Sequence, residues 1–193
     1  MSQDVDAHLT ETQVSSDILF EGDFLQARRD TVRLPDGTTA IREYVVHPGA
    51  VVIVALHDDG QVVVERQYRY PVSQVMTEFP AGKLDPRESP LACGKRELLE
   101  ETGFVATEWA YAGRMHLAIG YSTEIIHIYF ARGLTAGARD LDVGEFLDVH
   151  RMPVQAMLDG VRAGTVTDAK TLACMMWLQN VHSGAWTLSW EKT

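Results

Sequence analysis

The chain has 193 residues, with 17 Lys and Arg against 27 Asp and Glu, a formal net charge of −10. Hydrophobic residues make up 46% and charged residues 23%, the balance of one ordinary globular domain. Such an acidic chain repels phosphate backbones, and no apolar run reaches the roughly 18–20 residues that cross a bilayer, so neither nucleic acid nor membrane is an expected partner.

A small polyphosphate ligand stays open, because a bound divalent metal reverses the sign of the field locally. Cys93 and Cys174 make neither a zinc spacing nor a disulfide framework, which fits a reducing, cytoplasmic location. The polar, acidic opening MSQDVDAHLTETQVSS has no basic stretch followed by an apolar one, so no secretory signal peptide is expected.

Residues 1–16 read as a flexible arm. Strand character begins at Ile18, and two extended runs, Phe24–Leu34 and Thr38–Val46, flank the turn residues Pro35-Asp36-Gly37. Residues 17–48 are therefore expected to form an N-terminal β-hairpin region, with the main domain over 49–193. Ala50–Leu56 is a continuous apolar run suited to a strand covered on both faces. Asp58-Asp59-Gly60 is hairpin turn chemistry, and Gln61–Gln67 is the return strand. Farther on, Glu108–Ala112, Glu124–Ala131 and Glu145–Val149 read as strands, and Val154–Ala163 and Ala169–Val181 as helices. The irregular alternation points to an α+β chain or a helix–sheet–helix sandwich.

The segment AGKLDPRESPLACGKRELLEETGF, residues 81–104, carries the chemistry. Ser89-Pro90 is a helix start and Gly103 a helix stop, so the helix runs from Pro90 to Thr102. At about 100° per residue, Glu97, Glu100 and Glu101 share one stripe, while Leu91, Ala92, Leu98 and Leu99 face a core. Three carboxylates on one stripe repel each other unless solvent or a cation intervenes, and an all-oxygen set suits Mg²⁺ or Mn²⁺ rather than zinc. A fragment such as ELLEE is by itself usually a solvated face. The full spacing is far more selective: Gly82, Glu88, Arg96, Glu97, Leu98, Glu100, Glu101, Gly103 and Phe104. Seven identities at roughly 6% each and two apolar positions at roughly one third make a chance match on the order of 10⁻⁷.

These residues resemble the Nudix box, the signature of hydrolases that cleave a nucleoside diphosphate linked to another moiety. Phe104 stands where an aliphatic residue is commoner. Outside the box, RQYRYP (Arg66–Pro71), EFPAG (Glu78–Gly82), GYSTE (Gly120–Glu124) and DAKT (Asp168–Thr171) are similar to the ADP-ribose pyrophosphatase and nucleotide-sugar branch. The resemblance implies an α/β/α sandwich with a mixed β-sheet and an N-terminal β-hairpin extension. It implies metal-dependent hydrolysis of ADP-ribose or a related nucleoside diphosphate sugar, with Mg²⁺ (or Mn²⁺) as cofactor. A homodimer is implied too, because the branch uses the N-terminal region for dimerisation and to complete the partner's pocket.

Residue roles follow from the same resemblance. Metal would be held by Glu97, Glu100 and Glu101, the carbonyl of Ala81, and Glu145; Arg96 would orient the glutamates. Glu88 serves either as a ligand or as a structural partner. The catalytic base is Glu145 or Glu124, and Glu124 is also a candidate for a sugar hydroxyl. The acid that many relatives carry two residues before Glu145 is Val143 here. Arg69 matches a phosphate-contacting arginine. Phe24 and Glu43 lie where relatives place a stacking aromatic and a base-reading acid, with Arg42 in place of a second aromatic. Ile119 replaces the usual proline before GYSTE. His116 and His127 form no metal-type cluster, and Met175, Met176 and Trp177 read as core or subunit contact. Two alternatives remain: a Nudix-fold nucleotide sensor without hydrolysis, and a pyrophosphohydrolase for dinucleoside polyphosphates or nucleoside triphosphates.

Overall fold

Pro35-Asp36-Gly37 does turn the chain: Asp36 Oδ1 accepts from the Thr38 amide at 2.9 Å, and Gly37 takes a positive φ of 84°. In the computed structural model, which describes residues 5–192, the flanking strands are part of a three-stranded antiparallel sheet in the order β1 (Thr12–Glu21), β2 (Gln26–Arg33), β3 (Thr39–Val46). Residues 1–4 of the expected arm lie outside the described residues. The rest of that expectation needs correction, because β1 begins at Thr12 and pairs with β2 from Arg33 to Gln26. Every residue of β1 is exposed, so its sequence lacks the apolar alternation that marks a half-buried strand. Backbone pairing alone defines it. A turn closed by the Gly22 amide on the Leu25 carbonyl (2.8 Å) leaves Phe24 outside the strand it was expected to open.

This sheet forms one compact unit with residues 118–124; residues 48–117 and 125–192 form the other. Within the first unit, the Val45 amide donates to Tyr121 O (2.8 Å) and the Thr123 amide to Val45 O (3.0 Å), so the GYSTE loop is stitched to the end of β3.

The second unit holds two sheets. The larger has the order β11-β8-β9-β4-β7, built from β4 (Ala50–Ala55), β7 (Ala81–Lys83), β8 (Phe104–His116), β9 (Ile125–Ala136) and β11 (Glu191–Lys192). It is mixed, since β4 runs parallel to β9 but antiparallel to β7. The smaller has the order β10-β5-β6, from β5 (Gln61–Arg69), β6 (Gln74–Glu78) and β10 (Leu147–Pro153). Helices α1 (Pro90–Thr102) and α2 (Val154–Ala163) have the expected bounds, and α3 (Ala169–His182) runs one residue longer.

Period-two alternation along β4 divides the core. Val51, Ile53 and Ala55 pack with Cys93 and Leu98 of α1 and with Trp109. Val52 and Val54 pack with Met157 of α2 and with Cys174, Met175 and Leu178 of α3. Helices thus cover both faces of the unit's central strand, the expected α/β/α sandwich. Both thiols are free and buried. Met175 is buried, Trp177 lies against Trp186, and Met176 is exposed. The strands β8 and β9 extend well beyond the expected five to eight residues because they pair with each other from Phe104–Ala136 to His116–Ile125. The short strands β6, β7 and β11 were not expected at all; each is defined by a neighbour rather than by its own pattern. No helix among the described residues is long and apolar enough to cross a membrane.

Leu98 is fully buried between α1 and β4, so Leu98→Ala leaves a cavity worth about 2–5 kcal/mol. The expected outcome is a lower urea midpoint with an unchanged slope, read by circular dichroism.

Candidate active site

The site is built at the N-terminal approach and along one face of α1. Ser89 caps the helix by accepting from the Ala92 amide (3.3 Å), Pro90 opens it, and Gly103 closes it at a φ of 72°. These signals fix the rotation of Glu97, Glu100 and Glu101. Arg96 lies at their centre. Its Nη1 donates to Glu97 Oε1 (2.8 Å) and Glu100 Oε2 (3.0 Å), and its Nη2 to Glu88 Oε2 (2.8 Å) and Lys83 O (3.2 Å). Glu88 also accepts from the Asp85 amide at 3.1 Å, which ties the loop ahead of α1 to the helix. The Arg96 guanidinium holds the Glu88 carboxyl down at about 2.

Glu101 behaves differently from its neighbours. The helical stripe put Glu101 beside Glu97 and Glu100 as a candidate metal ligand; it is buried, while Ala92, expected in the core, is exposed. The reason is the strand beside it: Glu101 Oε2 accepts from the Ala81 amide at 3.0 Å. Burial pushes the Glu101 carboxyl well above its ordinary range, with the charges of Glu65, Glu97 and Glu145 adding to the effect. Glu65 on β5 is buried too, and its Oε1 has no hydrogen-bond partner among the described residues. Burial and the Glu145 charge push Glu65 up to about 8, against a hydrogen bond with Glu101. Glu97 is also raised, mainly by burial, with Arg96 opposing.

Glu145 sits in a turn, its amide on Asp142 O at 3.0 Å, and Gln67 Nε2 reaches its Oε1 at 3.4 Å. Its charge bears on Glu65, Glu97 and Glu101 together. The fold therefore gathers Ala81, Glu97, Glu100, Glu101 and Glu145 in one unit, and adds Glu65, which the sequence reading missed. The available signal was an acid ending the buried Val62–Val64 run, where a strand covered on both faces favours apolar residues.

Gly82 completes the cradle. A Cβ there would stand 1.8 Å from Glu97 Cδ, so any side chain at this position would push the Glu97 carboxylate out of its place beside β7. Among the described residues, no three acidic, histidine or cysteine side chains already enclose a metal position; Arg96 takes up Glu97 and Glu100 instead. The chemistry of the set nevertheless fits a hard divalent cation: several carboxylates, two of them buried and short of counter-charge, with an unpartnered oxygen on Glu65.

Arg69, at the end of β5, forks onto Glu78 through Nε (2.8 Å) and Nη2 (2.9 Å). Burial pushes Glu78 up, but Arg69 and Lys170 outweigh it and hold the carboxyl below its ordinary value.

The other expected residues lie in the N-terminal unit. Arg42 is not free to stack: its Nε and Nη2 grip Glu11 at 2.9 and 2.5 Å, an unexpected pairing that β1 makes possible. Glu43 is held by Arg29 at 2.5 Å across β2 and β3. Phe24 is exposed and meets His47 edge-on, ring centroids 6.3 Å apart. His47 Nε2 stands 3.7 Å from Glu124 Oε1, so Phe24, His47 and Glu124 come together. His47 had no assigned part in the sequence analysis.

The NUDIX domain family pattern matches residues 46–173, and a nucleoside diphosphate sugar hydrolase N-terminal domain matches residues 11–45. The chain belongs to the Nudix family. Its Nudix helix is α1. Two similar proteins cover nearly its whole length. The methanol dehydrogenase activator of Bacillus methanolicus is 34% identical, covering 88% of this chain and 92% of its own. The ADP-ribose pyrophosphatase of Bacillus subtilis (strain 168) is 34% identical, covering 89% and 94%. A solved structure described as an ADP compounds hydrolase shares the fold, with a TM-score of 0.82, 22% identity, and coverage of 92% of this chain and 97% of that one.

The buried Nudix carboxylates make stability depend on pH. Glu65 keeps its proton to about 8 when folded but releases it near the ordinary 4.5 when unfolded. Between those values the folded state binds more protons, so stability falls as pH rises. Glu78 and Glu88, both lowered, act only below that window. Without divalent cation, the melting temperature is expected to be several degrees higher at pH 5 than at pH 8, at about 2–4 °C per kcal/mol for a chain this size. Glu65→Gln is expected to flatten the slope in differential scanning calorimetry.

Proposed function

We propose that this chain hydrolyses the pyrophosphate bond of ADP-ribose or a related nucleoside diphosphate sugar, giving a nucleoside monophosphate and a sugar phosphate. The observation that carries the reading is the burial of Glu101 against the Ala81 amide beside the unpartnered oxygen of Glu65. That arrangement buries two carboxyl groups, neither ion-paired among the described residues, beside the last turn of the Nudix helix. The names of the Bacillus subtilis relative and of the matching N-terminal domain support the substrate class.

Glu97, Glu100, Glu101, Glu145 and the Ala81 carbonyl would hold Mg²⁺ or Mn²⁺. When bound, such a cation screens the diphosphate charge and makes a nearby water more acidic. The remaining work belongs to side chains. Arg96 orients Glu97 and Glu100 through one nitrogen. Arg69 offers the guanidinium donors it does not spend on Glu78 to a phosphate oxygen, in the planar geometry that suits phosphate. Glu145 accepts a proton from the attacking water, a role supported by its part-exposed place beside the buried carboxylates. Glu124, facing His47, takes a sugar hydroxyl, while Phe24 offers an exposed ring to a base. Arg42 and Glu43 are offered to a nucleotide base once their exposed ion pairs open.

The working form is a homodimer in the cytoplasm. Val14, Ile18, Leu19, Phe20 and Ile41 are exposed on the N-terminal sheet, an apolar surface that a second copy would cover. Buried free thiols suit a reducing compartment.

A panel of nucleotide sugars with Mg²⁺ tests the reaction. Turnover is expected on at least one, with Glu101→Gln at least about 100-fold slower, each ~1.4 kcal/mol of transition-state stabilisation being tenfold. Tight binding with no turnover on any compound would sink hydrolysis and favour a sensor. By light scattering, the chain is expected at twice the 21.5 kDa of one copy, and Phe20→Asp at one copy.

A further inference from the structure

The DAKT residues, Asp168–Thr171, form the cap and first turn of α3. Asp168 is the N-cap, its Oδ2 accepting from the Thr171 amide at 2.9 Å. Thr171 Oγ1 accepts from the Phe79 amide at 3.1 Å, and both residues are buried. Lys170 lies between these contacts. Its Nζ donates to Asp168 Oδ2 at 3.0 Å and to Glu78 Oε2. Its side chain is only 12% exposed, so it is not a solvated surface lysine.

We infer that Lys170 is a positioning residue for Arg69, acting through Glu78; the inference rests on the proposed reading of Arg69 as a contact for the substrate diphosphate. Glu78 is buried and directly opposite Glu65 in the β5–β6 register. If Arg69 were its sole counter-ion, the pair would be neutral toward an incoming anion and the guanidinium would be drawn onto the buried carboxylate. Lys170 supplies a second cation, itself braced by Asp168, whose Oδ2 is shared with the Thr171 amide at the α3 N-terminus. Glu78 is thus shared by two cations and anchored to a helix, so its pull on the guanidinium is divided and Arg69 keeps donors to offer a ligand. The fork uses Nε and Nη2, while Nη1 makes no hydrogen bond among the described residues and the Arg69 side chain is 41% exposed. The same α3 turn holds the Phe79 backbone, two residues ahead of Ala81, so one helix start steadies both the arginine and the strand at the site.

The test combines kinetics with a readout that needs no turnover. Lys170→Met is expected to raise KM for the nucleotide sugar about tenfold or more, with a smaller change in kcat. Lys170→Arg restores KM. In an Arg69→Ala background, Lys170→Met adds no further loss, because its effect runs through that arginine. The Arg69 Nε–H signal in ¹H–¹⁵N spectra of the full chain is expected at the same position in the wild type and in Lys170→Arg, and shifted downfield in Lys170→Met as the fork onto Glu78 tightens. Should Lys170→Met fail to fold, Lys170→Gln removes the charge while keeping a hydrogen-bond donor toward Glu78, and the same rise in KM and the same shift of the Arg69 signal are expected. An unchanged Arg69 signal, or a KM effect that simply adds to that of Arg69→Ala, overturns the inference. If the wild type cleaves no nucleotide sugar, the proposed reaction falls, while the Arg69 signal still decides whether Lys170 holds the guanidinium.

Discussion

A carboxylate removed from water must find compensation in a proton, a cation or a set of hydrogen bonds, and this structure meets that demand in two ways within one short stretch. Glu78 is compensated permanently by Arg69 and Lys170 and stays ionised. Glu101 and Glu65 have no such cation, and burial holds both above the ordinary carboxylate range. The first arrangement is closed; the second is open to exchange of a proton for a metal. Metal binding to such a set displaces protons, which makes affinity rise with pH. The proposed activity depends on that second arrangement.

The scaffold exists to hold these two arrangements side by side. β4 contributes alternate residues to the packing under α1 and to the packing under α2 and α3. That rigidity lets β7 approach the helix so closely that Gly82 leaves no room for a Cβ against Glu97. Arg96, with five oxygen partners from three glutamates and a carbonyl, orders the loop ahead of the helix as well as the helix face. Its capacity for several planar hydrogen bonds explains why a lysine would not serve there.

The N-terminal unit obeys a different logic. Its ion pairs, Arg42 with Glu11 and Arg29 with Glu43, sit at the surface where water competes and salt screens. They are cheap to open, so their presence in the free chain is compatible with the proposed part of Arg42 and Glu43 in holding a nucleotide. The exposed apolar residues of β1 give the opposite impression, of a sheet that lacks cover.

The bounds of α1 and α2, the turn at Pro35-Asp36-Gly37, the buried run of β4 and the spacing of the box were all legible in the chain itself. Each depends on neighbours in sequence: a cap, a proline, a left-handed glycine, a period of two or of 3.6. The start of β1 at Thr12, ahead of the expected Ile18, and the short strands β6, β7 and β11 were not legible, because only pairing with other strands defines them. The same holds for the chemistry. The carboxylates of α1 were visible as a stripe, but the burial of Glu101, the arrival of Glu65 and the clamp from Lys170 through Glu78 to Arg69 join residues up to 92 positions apart. Local sequence determined which groups are present and how a helix rotates them. The tertiary structure alone decided which of them lose water and which meet a counter-charge, because desolvation is a property of the surroundings and not of the chain's own order.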